Sequence, residues 1–132
     1  MVPGIYDYGR QLGYRIIPMD ELEERGLNDV FTDIKNTIAG RPVYLCFDMD
    51  FFDPSVAPGV CTPAWGGASA REGMKALKLC AGVNIVGLDI NTISPPHDCN
   101  GMSAMLAATL VYEFLLMMAS GAITCPRTVF NK

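Results

Sequence analysis

The chain has 132 residues, half of them hydrophobic and 18% charged, with a formal net charge of −4. That balance excludes a disordered segment and suits a single buried α/β core. Lys and Arg are scattered singly, so neither nucleic acid nor a membrane is expected as a partner.

The first residues, MVPGIYDYG, lack a basic region followed by an apolar one, so no signal peptide is expected. Residues 4 to 12 read as a short helix closed by Gly13, and YRIIPM (14–19) as a strand. Asp20 is expected to cap the acidic turn ELEERG. Asn28 is expected to open a helix in which Val30, Ile34 and Ile38 recur at helical spacing, stopped by Gly40 and Pro42. VYLCFDMD (43–50) is an apolar, β-rich run that ends in acids, and a Pro/Gly-rich loop (53–67) follows it. Ser69 and Glu72 form a capping-box pattern that predicts a helix to about Ala81. VNIVGLDI (83–90) reads as another strand, 91–101 as another irregular loop, and 103–119 as the last helix. The segment 102–123 is long enough to span a membrane. Glu113 at its middle, with Thr109, Tyr112 and Ser120, favours a helix buried in a soluble core.

Five cysteines, at 46, 61, 80, 99 and 125, form no CxxC pair. Reduced thiols and a cytoplasmic location are expected, with Cys46 and Cys80 as small buried hydrophobes. Strands that are apolar throughout, alternating with helices, predict an α/β fold of three αβα layers around a parallel sheet. Ligands in such folds sit outside the carboxyl ends of the strands, and both irregular loops leave from those ends. A flavodoxin-like binding domain shares the alternation, but it leaves the loop after the acids unexplained and there is no Gly-rich phosphate loop.

CFDMDFFDPSVAPG (46–59) places Asp48, Asp50 and Asp53 in and just after an apolar run. On one strand, Asp48 and Asp50 would share a face, where two like charges repel unless a hard cation lies between them. The plain alternative is that both cap loop amides. Asp53, standing before Pro54, reads as turn chemistry.

CFDMDFFDPSVAPGVCTPAWGG resembles the signature of the ureohydrolases (arginases, agmatinases and relatives): D-x-D-x-x-D-P-x-x-A-P-G followed by T-P-x-x-G-G. NIVGLDINTISPPHDCNGMSAMLAATLVYEFL resembles their last strand, loop and closing helix, and GYRIIPMDEL and RPVYLCFD also fit. The resemblance implies that residues 1–132 are the C-terminal portion of one such arginase-like domain. It implies two divalent ions, usually Mn²⁺ with Ni²⁺ possible, and water attack on a guanidinium carbon that releases urea and an amine. Asp48 would bridge both ions and Asp50 would hold one of them, with Asp53 and Asp89 structural beside the site. A small guanidino substrate and a homo-oligomer of the full-length protein are implied as well.

Two departures stand out. Thr92 occupies the place where the family carries a Glu that meets the substrate guanidinium, which suggests free or small guanidine as substrate. The family's upstream G-G-D-H and D-A-H-x-D motifs are absent. The one histidine, His97, replaces the Tyr of P-P-Y-D and is a candidate pocket or substrate contact. A catalytically inactive remnant or companion subunit is the alternative. A partial sheet of this kind is expected to leave apolar faces uncovered.

Overall fold

The structure is a computed structural model that describes residues 4–123, so Cys125 and the first three residues of the N-terminal stretch lie outside it. Helix α1 spans Ile5–Gln11, α2 Met19–Arg25 and α3 Leu27–Ile38. Strand β1 is Val43–Asp48, α4 Ala70–Leu79, β2 Ile85–Asn91 and α5 Met102–Ala119. The two strands pair in parallel, with α4 crossing between them. After an irregularity at Val43/Tyr44 the register runs from Tyr44 opposite Gly87 to Asp48 opposite Asn91.

That register sorts side chains by face. Phe47 and Ile85 join Leu77, Cys80, Leu110, Phe114 and Met117 in one core, with Leu45, Leu88 and Ile90 packed against it. Tyr44, Cys46 and Asp48 project from the opposite face, where Tyr44 is 63% exposed. Among the described residues the sheet has two strands, and its Tyr44 face is left open. Cys46, expected to be buried, is exposed because its register places it on the open face; Cys80 is buried.

Helix α5 buries Ser103, Ala107, Leu110, Phe114 and Met117, a stripe at helical spacing. By length and composition it could cross a membrane. Its remaining surface is also apolar, and Met105 (70%), Tyr112 and Leu115 stand in the open.

Several local expectations change. Residues 14–18 form no strand. A groove of about 320 Å³, lined by Ile17, Phe31, Leu45, Phe47, Asp48 and Phe51, lies between this segment and β1, so its backbone finds no ladder there. Asp20 and Asn28 are not caps: Pro18 and Gly26 hold those positions, and each polar residue falls in the first turn. Arg25 ties α2 to α3 instead, reaching Glu21 at 2.8 Å and Asp29 at 2.6 Å. The capping box at α4 forms as expected, with Ser69 and Glu72 each accepting from the other's backbone amide.

Candidate functional site

Strand β1 ends at Asp48, and Met49–Phe51 turn into a short 3₁₀ segment. The expectation that Asp48 and Asp50 share one strand face is therefore corrected. The turn arises because Met49 and Phe52 are both drawn fully into the core, which an extended strand could not achieve with that spacing. The two acids are nevertheless linked, since the Asp50 amide donates to Asp48 Oδ1 at 2.8 Å.

Each acid has one oxygen occupied. Asp48 Oδ1 also accepts the Thr92 hydroxyl at 2.5 Å, and no hydrogen bond in the described residues reaches its Oδ2. Asp50 Oδ2 accepts from the Thr62 amide at 3.2 Å and from the Thr62 hydroxyl. Asp50 Oδ1 is buried with no partner among the described residues. A carboxylate oxygen withdrawn from water and left unpaired is costly unless a cation or donor meets it. That oxygen is the strongest sign of a ligand here.

Asp53 differs. Its two oxygens accept from Ser55 N and Gly66 N, both at 2.9 Å, and bonds with Ser55 and Gly66 hold its carboxyl below the usual range. It locks the loop. The segment 62–67 is thereby pinned at Thr62 by Asp50 and at Gly66 by Asp53, and between the pins it presents Trp65, 83% exposed. Gly67 has no room for a side chain, because a Cβ there would lie 2.5 Å from the Asp53 amide.

The second loop is keyed to the first. Gly59 donates its amide to Ser103 Oγ at 2.8 Å, and a Cβ on Gly59 would lie 2.3 Å from the Asp98 Cβ. Asp98 accepts from the amides of Cys99, Ser103 and Ala104, the last two at the start of α5. Burial pushes its carboxyl up, but those amide bonds outweigh it and hold it below the usual range. Cys61 N also donates to Thr92 O at 2.9 Å. The two loops form one unit.

Asp89 lies opposite Cys46 on the open sheet face, with Asn91 Nδ2 at 3.2 Å. Hydrogen bonding to Asp89 raises both the Tyr44 phenol and the Cys46 thiol. Asn91, the register partner of Asp48, also donates to Cys46 Sγ at 2.9 Å, and its Oδ1 is buried without a partner among the described residues. His97 is exposed and its Nδ1 meets Ser94 Oγ at 2.7 Å, with no hydrogen bond linking it to Asp48 or Asp50. Sequence reasoning singled out neither Thr62, Asn91, Asp98 nor Ser103. Asp98 lies four residues before α5, whose N-cap is Gly101, so it carried no ordinary capping signal; the others depend on contacts across the fold.

Among the described residues no group of three or more His, Cys, Asp and Glu is placed to hold a metal ion. Hard carboxylate oxygens and the unpaired Asp50 Oδ1 fit part of a divalent-ion site, and among the described residues no third ligand is brought to them.

Residues 3–117 match the sequence profile described as the Arginase family. The chain is 34% identical over 113 residues to a guanidinobutyrase of Pseudomonas aeruginosa, covering 86% of this chain and 35% of that one. It is 36% identical over 114 residues to an agmatinase of Photorhabdus laumondii, covering 86% and 37%. Among solved structures, proclavaminate amidino hydrolase from Streptomyces clavuligerus superposes with a TM-score of 0.83 at 36% identity, covering 89% of this chain and 39% of that one. The chain spans little more than a third of the length of these relatives.

Proposed function

This chain belongs to the arginase family and has its fold, and on that premise we propose that the complete protein is a metal-dependent hydrolase of a guanidino compound. The reaction adds water across the guanidinium carbon and breaks one C–N bond, releasing urea and an amine, or ammonia if the substrate is guanidine itself. The observation that supports this most directly is the pair of acids at the end of β1. Each is fixed through one oxygen, and Asp50 Oδ1 is buried and unpaired among the described residues.

Asp48 and Asp50 would hold part of a pair of divalent ions, Mn²⁺ first and Ni²⁺ as the alternative. Such ions supply Lewis acidity and make a water molecule acidic enough to act near neutral pH. The chain's own contribution is orientation. Thr92 and the Asp50 amide fix Asp48, Thr62 fixes Asp50, and Asp53 keeps the loop between them in place.

Thr92 brings no negative charge to the place where the family resemblance sets a Glu. A charge-assisted pair with the substrate guanidinium is then missing at that position, so a substrate unlike that of the agmatinases is expected. This favours free or small guanidine over agmatine. The apolar groove along β1 and the exposed surface of α5 support further covering elements, which we assign to the other two-thirds of the family fold. Assembly into a homo-oligomer and a cytoplasmic location belong to the same reading.

The test is urea release by the complete polypeptide loaded with Mn²⁺, offered guanidine, 4-guanidinobutyrate and agmatine in turn. Turnover of guanidine above the other two is expected, and preferred turnover of agmatine refutes the small-substrate reading. A second reading, an inactive companion subunit, is favoured by the lack of a three-ligand cluster among the described residues. No metal uptake and no urea from any of the three would establish it.

A further inference from the structure

Thr92 has φ +61°, in the left-handed region. A β-branched residue is an outlier there, because its branched Cβ crowds the backbone. Such conformations persist where the surroundings impose them, and they cluster at functional sites. Here the surroundings are identifiable. Asp48 Oδ1 lies 2.5 Å from the Thr92 hydroxyl, across 44 residues of sequence. The Cys61 amide holds the Thr92 carbonyl at 2.9 Å, and Val60 bridges to Ile93. The hydroxyl has a single proton, and Asp48 is its closer acceptor, ahead of Asn91 O at 2.8 Å.

We propose that Thr92 is a positioning residue for Asp48: its strained backbone delivers a hydroxyl that fixes Oδ1 and leaves Oδ2 free for a cation, as Thr62 does for Asp50 through Oδ2. The two threonines come from different loops and act on neighbouring acids in the same way, each locking one oxygen and freeing the other. An outer partner that orients a ligating carboxylate is worth about 10–100-fold in metal affinity. The assignment rests on the metal reading above, but it concerns side-chain order that exists before any ion binds.

The experiment compares wild type, T92V, T92S and T92G in the complete polypeptide, using calorimetric Mn²⁺ titration and amide hydrogen exchange at Asp50, whose N–H donates to Asp48. T92V keeps the branched shape and loses the hydroxyl. It should weaken Mn²⁺ binding about 10–100-fold and speed exchange at Asp50. T92S keeps the hydroxyl and should stay within about threefold of wild type. T92G relieves the backbone and should raise the melting temperature while losing affinity as T92V does. A purely structural Thr92 predicts the same gain in stability for T92G but with Mn²⁺ affinity intact, so affinity is the readout that separates the two. Wild-type affinity and exchange in T92V would overturn the assignment. A wild-type protein that takes up no Mn²⁺ would overturn the proposed function instead, and the Asp50 exchange comparison, which needs no metal, still decides the role of Thr92.

Discussion

The junction of the two loops and the outer surface of α5 are built from similar residues and end in opposite states. At the junction Met49, Phe52, Ala57 and Ser103 are completely buried, and the Gly59 amide has its partner in a buried hydroxyl. On α5, Leu115 is 54% exposed and Met105 and Tyr112 more so, although the helix is apolar nearly all round. A helix that is hydrophobic on every side is normally enclosed. The difference separates two kinds of surface: the loop junction that carries the acids is fully packed, whereas the outer side of α5 leaves large apolar side chains in water.

The largest expected effect tests the packed region. Asp50→Ala in the complete polypeptide removes the unpaired oxygen and should lower Mn²⁺-dependent urea release by about 10³-fold or more, several kcal/mol of barrier. A steady-state assay at saturating metal measures it. Next is Phe52→Ala, which empties the centre of the junction and should cost about 3–5 kcal/mol in denaturant unfolding. Leu115→Ala contrasts with it directly. In the 132-residue chain the change should cost under ~0.5 kcal/mol, because the side chain is half in water. In the longer polypeptide proposed above it should cost about 2 kcal/mol, because that reading covers the helix with further elements. Equal small costs in both contexts would break the comparison.

The smallest effect is on pH. Hydrogen bonds from Arg15 and Arg25 lower Glu21 from its ordinary 4.5 to about 2. Bonds to Ser69 lower Glu72 and bonds with Ser55 and Gly66 lower Asp53, while at Asp98 burial works upward but the amides at the start of α5 prevail and lower it. A carboxyl depressed by folding stabilises the native state above its unfolded pKa, and the benefit disappears as pH falls through the folded value. The melting temperature should therefore decline from about pH 4.5 downward and be nearly flat above about pH 5. Glu21→Gln should flatten part of that decline.

What the sequence made legible follows the same division. The Ser69–Glu72 cap could be read because both partners lie within one turn. β1 and β2 could be read because their apolar runs are bounded by Gly and Pro. Residues 14–18 were misread because apolar β-branched composition cannot say whether a neighbouring strand is present. The relation of Asp48 to Asp50 was misread because the pull of Phe52 into the core, which turns the chain, is a tertiary effect. The bonds from Thr92 to Asp48 and from Gly59 to Ser103 each span 44 residues and leave no local trace.

Trp65, the chain's only tryptophan, stands on a loop whose two anchors are the carboxylates of Asp50 and Asp53. Its indole emission is therefore a label-free optical gauge of that loop. A paramagnetic ion arriving at the acids would quench it, and release of either anchor would change its anisotropy.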